Sequence, residues 1–227
     1  NSLKLFNKDF KEPYWQFKTI MDLEESFKVK STFFFLNESL PFNLFNPSSW
    51  KLSQGRYDIN SKRLKRIIKE LDEHGWEIGL HGSIRSYNNP RLLLREKKIL
   101  ENIIGHNVLG IRQHYLNLQI PLTWKMHQLL GLKYDASFGF KNKVGYKNKI
   151  RFPFSPFGDK FLVIPLPLMD SFLFSQYPNY EDALASVIKL VDEVESTGGL
   201  LTVLWHQISF SADDFPNHTK IYRMLIE

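Results

Sequence analysis

Short apolar runs alternate with stretches of helical spacing along most of this chain, and the connections between them are short. This alternation restricts the fold more than any other feature. A helix over 14–27 with Pro13 in its first turn leads to a strand over 31–36, and residues 37–58 read as a long aperiodic loop. Asn60 or Ser61 caps a helix reaching residue 74, Gly75 stops it, and the strand 76–81 follows. The unit repeats. Asn89-Pro90 starts a helix ending near Gly105, the strand 108–111 delivers Arg112-Gln113-His114-Tyr115, and Pro121 starts a helix ending at Gly131. The strand 132–135 delivers Asp135, an irregular segment covers 138–160, and the strand 161–165 leads to Met169-Asp170. A helix over 180–196 stops at Gly198-Gly199, and the strand 200–205 delivers His206. Helix and strand in alternation imply a parallel sheet with helical crossovers, as a (β/α) barrel or an open doubly wound sheet, and the barrel is the favoured expectation. With 227 residues, 43% of them apolar, and no low-complexity linker, residues 1–227 are expected to form a single α/β domain.

Charge and composition narrow the function. Lys and Arg total 30 against 24 Asp and Glu, but the positive residues are spread over predicted helices without interleaved aromatics, so a nucleic-acid partner is not expected. The absence of cysteine excludes a disulfide framework, thiol catalysis and a cysteinyl zinc site. No apolar stretch approaches the roughly 20 residues that span a bilayer, and no signal peptide is visible at Asn1, so a soluble, cytoplasmic protein is expected.

Of seven histidines, His81, His114 and His206 fall at or just beyond predicted strand ends. In parallel α/β folds, chemistry gathers there, and these imidazoles are expected on one face with Arg112, Asp135 and Asp170. Two neutral imidazoles and a carboxylate suit zinc or a similar divalent ion that keeps a position open for water, and a further histidine can protonate a leaving group. Trp205 and Tyr115, beside two of these histidines, are candidate sugar-stacking platforms. Arg112 can serve either as a carboxylate partner or as a substrate anchor.

Taken in order, these residues resemble the polysaccharide deacetylase family, carbohydrate esterase family 4, whose fold is a distorted (β/α) barrel. Ser31-Thr32-Phe33-Phe34-Phe35 is similar to its Ser/Ala-Thr-Phe-Phe strand, and Gly75-Trp76-Glu77-Ile78-Gly79-Leu80-His81 to its Gly-His-Glu-Ile-Gly-x-His signature. Arg112 falls at the arginine of its third motif, Asp135 and Ser137 at its Asp-Ser motif, and Leu204-Trp205-His206 at its last motif. The run 110–115 and Met169-Asp170 look closest to a divergent branch found among surface-polysaccharide biosynthesis genes. The pattern departs in two places: Arg85 stands where the family has a second metal-binding histidine, and no Thr-Phe-Asp-Asp opening motif precedes Pro13. Asp9 is the nearest carboxylate candidate, and the barrel is expected to lack its first strand in this chain.

The resemblance implies a hydrolase that removes an N- or O-linked acetyl group from a carbohydrate substrate, a sugar of a surface polysaccharide. It implies His81 as a ligand of a divalent metal, zinc first, and His206 as general acid; His114, by its strand-end position, is the second candidate ligand, an upstream aspartate the third, and Asp135 a candidate orienting carboxylate. Arg112, Arg85, Tyr115, Trp205 and Asp170 are the candidate substrate contacts. A catalytically degenerate glycan-binding barrel and a metal-independent amide hydrolase are the alternatives.

Overall fold

Helix boundaries follow the capping signals closely. A computed structural model describes residues 12–38, 44–45 and 57–227; Asp9 and most of the loop expected over 37–58 lie outside the described residues. Ser61 Oγ accepts the Leu64 N–H to start α2 (Lys62–Glu73), and Asn89 Oδ1 accepts the Leu92 N–H to start α3 (Pro90–Ile104), with Pro90 in its first turn. Gly75 and Gly105 end these helices at φ of 87° and 84°, a left-handed conformation that glycine enters without Cβ strain. The first helix, α1 (Phe17–Ser26), begins later than expected, because Pro13 and Tyr14 form a separate turn before it.

Described separately, the chain comprises two compact units, Ser31–Leu204 and the described parts of Asn1–Lys30 with Trp205–Glu227. The larger unit contains β1 (Thr32–Leu36), β2 (Glu77–Gly82), β3 (Gly110–Gln113), β4 (Tyr134–Gly139) and β5 (Leu162–Leu166), all parallel and hydrogen-bonded in that order. Parallel crossovers are right-handed as a rule, so strands that step one way in sequence order put α2, α3 and α4 (Leu122–Leu129), which pack on β2 and β4, on one side of the sheet. A doubly wound sheet would reverse direction at a switch point, and these five strands do not. The sheet is the (β/α) barrel type expected, with β1 to β5 not closed into a ring. A second parallel pair joins β6 (Leu168–Met169) to β7 (Val203–Leu204), and α5 (Asp170–Gln176) and α6 (Tyr180–Thr197) lie between them in sequence.

Strand pairing fixes which side chains share a face. Phe34 aligns with Gly79, Leu36 with His81 and His81 with Arg112, whereas Leu80 aligns with Ile111 and Ile111 with Asp135. Because successive residues point to opposite faces, Phe33, Phe35, Ile78, Leu80, Ile111 and Asp135 are buried under the helices. Thr32, Phe34, Glu77, His81, Arg112 and Tyr134 occupy the opposite face, where Thr32 donates to Glu77 Oε2 at 2.9 Å.

In the smaller unit, α1 buries Phe17, Ile20, Met21 and Glu24 at helical spacing. The Tyr222 hydroxyl of α7 (His218–Ile226) donates to Glu24 Oε1 at 2.5 Å, and the Tyr222 ring meets Phe210 edge-on at 4.9 Å. Among the described residues no helix is long and apolar enough to cross a membrane.

Candidate active site

The last residues of β2 and β3 bring His81 and His114 together. His81 ends the polar face of β2, and its Nδ1 lies 2.8 Å from the Arg112 carbonyl of the neighbouring strand. A carbonyl only accepts, so Nδ1 carries the proton and Nε2 of the neutral ring keeps its lone pair. The His114 ring centroid is 5.1 Å from that of His81, with the planes at 60°. Nδ1 of His114 is buried without a hydrogen-bond partner among the described residues, and Glu38 Oε2 stands 3.5 Å from it. Glu38 itself accepts the Ile84 N–H at 3.2 Å, which ties the turn after β2 to the segment after β1.

Beyond His114 the backbone turns sharply. Tyr115 and Leu116 have φ of 55° and 51°, a left-handed conformation that costs a non-glycine residue roughly 1–3 kcal/mol. The turn lays the Tyr115 ring over His114 at 4.5 Å and 26°, while Leu116 drops into an apolar cluster with Leu166, Leu204 and Met169. Tyr115 remains 54% exposed. Asp170 follows Met169 as the buried first residue of α5 and accepts its neighbour Ser171's N–H.

Arg112 is buried behind this pair. Its Nε donates to the Ala136 carbonyl at 3.0 Å and its guanidinium lies over the Phe34 ring at 4.5 Å. Burial lowers its pKa to about 10, and the guanidinium stays charged at neutral pH. With 8% exposure it is a buried cation, held among the described residues by a backbone carbonyl and an aromatic ring. Arg85 is exposed on the turn after β2.

The placement of Asp135 differs from the expectation. The strand expected over 132–135 is instead β4 over Tyr134–Gly139, so Asp135 is its second residue and not its end. Its alignment with Ile111 puts it on the helix-covered face, across the sheet from His81. There Asp135 accepts the Ser137 N–H and hydroxyl, each at 2.9 Å, and its Oδ2 lies 3.1 Å from Nδ1 of His127, a histidine of α4. His127 is fully buried, and its Nε2 accepts from Gln113 Nε2 at 3.0 Å. His127 stands mid-helix, away from any strand end, so its position in the sequence does not mark it. Its spacing from Thr123 and Trp124, also buried, was the available signal, since a titratable group on a buried stripe needs polar partners. A second unforeseen group is Glu96 of α3, which accepts both the Ser83 N–H and hydroxyl.

Trp205 and His206 belong to the smaller unit, where Trp205 packs on Tyr222 at 5.7 Å and the carbonyl of exposed His206 accepts the Ser209 N–H. For a metal, His81 and His114 fit as two imidazole donors. Among the described residues, however, no group of three His, Cys, Asp or Glu side chains is placed to hold an ion.

No protein-family model and no curated protein matches the sequence. Solved structures do match. A protein described as a polysaccharide deacetylase from Mycobacterium smegmatis is similar at TM-score 0.64 and 17% identity, over 94% of this chain and 70% of that one. The Puue allantoinase is similar at 0.60 and 18% over 95% and 65%, and a protein described as a polysaccharide deacetylase from Pseudomonas aeruginosa PAO1 at 0.58 and 17% over 92% and 65%. The chain thus spans 65–70% of the length of these neighbours. Nearly all of it superposes on them, and the chain has the fold of these polysaccharide deacetylase structures.

Proposed function

We propose that the protein is a hydrolase that cleaves an acetyl group from a sugar, an acetamido sugar first, within surface-polysaccharide assembly. The observation that carries this reading is the His81–His114 pair, aligned by the Arg112 carbonyl at the carboxyl ends of β2 and β3 in a deacetylase-type fold. Water adds to the acetyl carbonyl, the C–N or C–O bond breaks, acetate leaves, and the freed amine or hydroxyl takes a proton. With Nδ1 of His81 committed to the Arg112 carbonyl, the lone pair of a neutral ring is on Nε2, and Tyr115 offers an exposed ring on which a sugar can stack. His81 and His114 would hold a divalent ion, zinc suiting two imidazoles, with a third donor from beyond the described residues. Such an ion supplies Lewis acidity and makes hydroxide available near neutral pH. His206 as proton donor and Trp205 as a stacking surface rest on the resemblance alone.

One observation favours a second reading, amide hydrolysis without metal. Glu38 beside His114 forms a carboxylate–imidazole pair, and such a pair is suited to removing a proton from water.

Acetate release from acetylated amino sugars and their oligomers, with and without a chelator, tests both. His81→Ala is expected to lower kcat/KM by on the order of 10²-fold or more. Release that survives both chelation and His81→Ala would move the chemistry to the Glu38–His114 pair. Sugar binding with no release from any acetylated glycan would leave a binding barrel.

A further inference from the structure

Behind the strand ends, on the helix-covered face, a buried polar chain runs from α4 to the turn that follows His81. Asp135 Oδ2 lies 3.1 Å from His127 Nδ1, oblique to the ring N–H rather than aligned as a hydrogen bond. The carboxylate nonetheless favours the tautomer with its proton on Nδ1. Nε2 is then an acceptor only, and that dictates which end of the Gln113 amide faces it: Nε2 of Gln113 donates at 3.0 Å. Gln113 Oε1 is thereby turned toward Ser86, whose hydroxyl lies 3.3 Å from it and 2.9 Å from the Ser83 carbonyl. The Gln113 backbone is held as well, its N–H donating to Ser137 Oγ at 2.8 Å while that hydroxyl donates to Asp135. Gln113 precedes His114, and Ser83 and Ser86 flank Ile84, whose N–H binds Glu38, the carboxylate next to His114. His127, Asp135, Ser83, Ser86 and Gln113 are buried, and no substrate reaches them.

We propose that His127 is a positioning residue: by fixing the Gln113 amide, it sets the turn after β2 and the strand end that carries His114. A reversed amide would put two donors or two acceptors face to face at one end of the chain, so His127 and Ser86 specify a single arrangement. The kinetic part of this proposal rests on the deacetylase reading, whereas the geometric part does not.

The test combines NMR of the Gln113 side-chain amide and the Ile84 N–H with kinetics and thermal unfolding for His127→Phe, His127→Gln and Ser86→Ala. His127→Phe removes the acceptor for Gln113, and kcat is expected to fall about 10- to 100-fold with KM little changed, alongside shifted Gln113 amide and Ile84 N–H resonances. His127→Gln keeps an acceptor near the Nε2 position and restores both. Ser86→Ala, a smaller change that decides the matter if His127→Phe does not fold, shifts the Ile84 N–H resonance as well. Variants that lower Tm but leave the Ile84 resonance and kcat at wild-type values would overturn the proposal and reduce His127 to core packing. Absence of acetate release by the wild type would count against the deacetylase reading only, because the Gln113 and Ile84 resonances still read the positioning.

Discussion

At the residue scale, the site depends on buried polar groups whose partners are few and specific. Glu96 shows this most simply: its two oxygens take both Ser83 donors, and burial raises its carboxyl pKa. Glu96→Ala leaves the Ser83 N–H and hydroxyl buried without these acceptors, with an expected cost of about 1–3 kcal/mol per stranded group. Chemical denaturation of the variant against wild type measures it, and a loss below 0.5 kcal/mol (about half a typical hydrogen bond) would mean that water or another acceptor replaces Glu96. His81 and His114 were legible in the sequence because each stands where a strand signal gives way to a polar turn, His81 directly after the run 76–80 and His114 three residues after the run 108–111. The side of the sheet taken by Asp135 was not legible. Deciding it needed the strand start to within one residue, since a single-residue slip exchanges the faces.

At the element scale, two close contacts set how the strands and helices meet. A Cβ on Gly110 would come within 2.1 Å of the Tyr134 ring, so β3 approaches β4 there only because the residue is glycine. Gly110→Ala is expected to destabilise by about 1–3 kcal/mol, read as a lower urea midpoint with an unchanged slope. A midpoint equal to wild type would show that Tyr134 swings aside freely. His106, after α3, donates from Nε2 to both Asp72 oxygens of α2 at 2.9 and 3.0 Å, and the hydrogen bond to Asp72 raises its pKa. A raised histidine pKa contributes stability that is complete below the unfolded value near 6.5 and is lost as pH rises through the folded value. The Tm difference between wild type and His106→Ala should therefore be largest in mildly acidic buffer and close up above neutral pH; a constant difference would assign the effect to packing. Helix ends were readable from Ser61, Asn89, Gly75 and Gly105, whose capping chemistry is local. Strand starts were read less well, at 108 for Gly110, 132 for Tyr134 and 200 for Val203, because tertiary pairing decides where an apolar run joins the ladder.

At the scale of the whole molecule, the alternation of helix and strand was enough to foresee a parallel sheet built in sequence order, and the similarity to deacetylase structures extends over more than nine-tenths of the chain. Identities of 17–18% carry the fold to this chain, and the chemistry must come from the residues at its strand ends. Those residues make a definite demand: two imidazoles 5.1 Å apart, one aligned by a backbone carbonyl and the other beside a carboxylate. The most direct measurement is acetate release from an acetylated amino-sugar oligomer by the wild type and His81→Ala, assayed in parallel with and without a chelator. Release by the wild type that falls by on the order of 10²-fold in His81→Ala is the predicted result. Release that is undiminished in His81→Ala would contradict the assignment of the chemistry to this strand end.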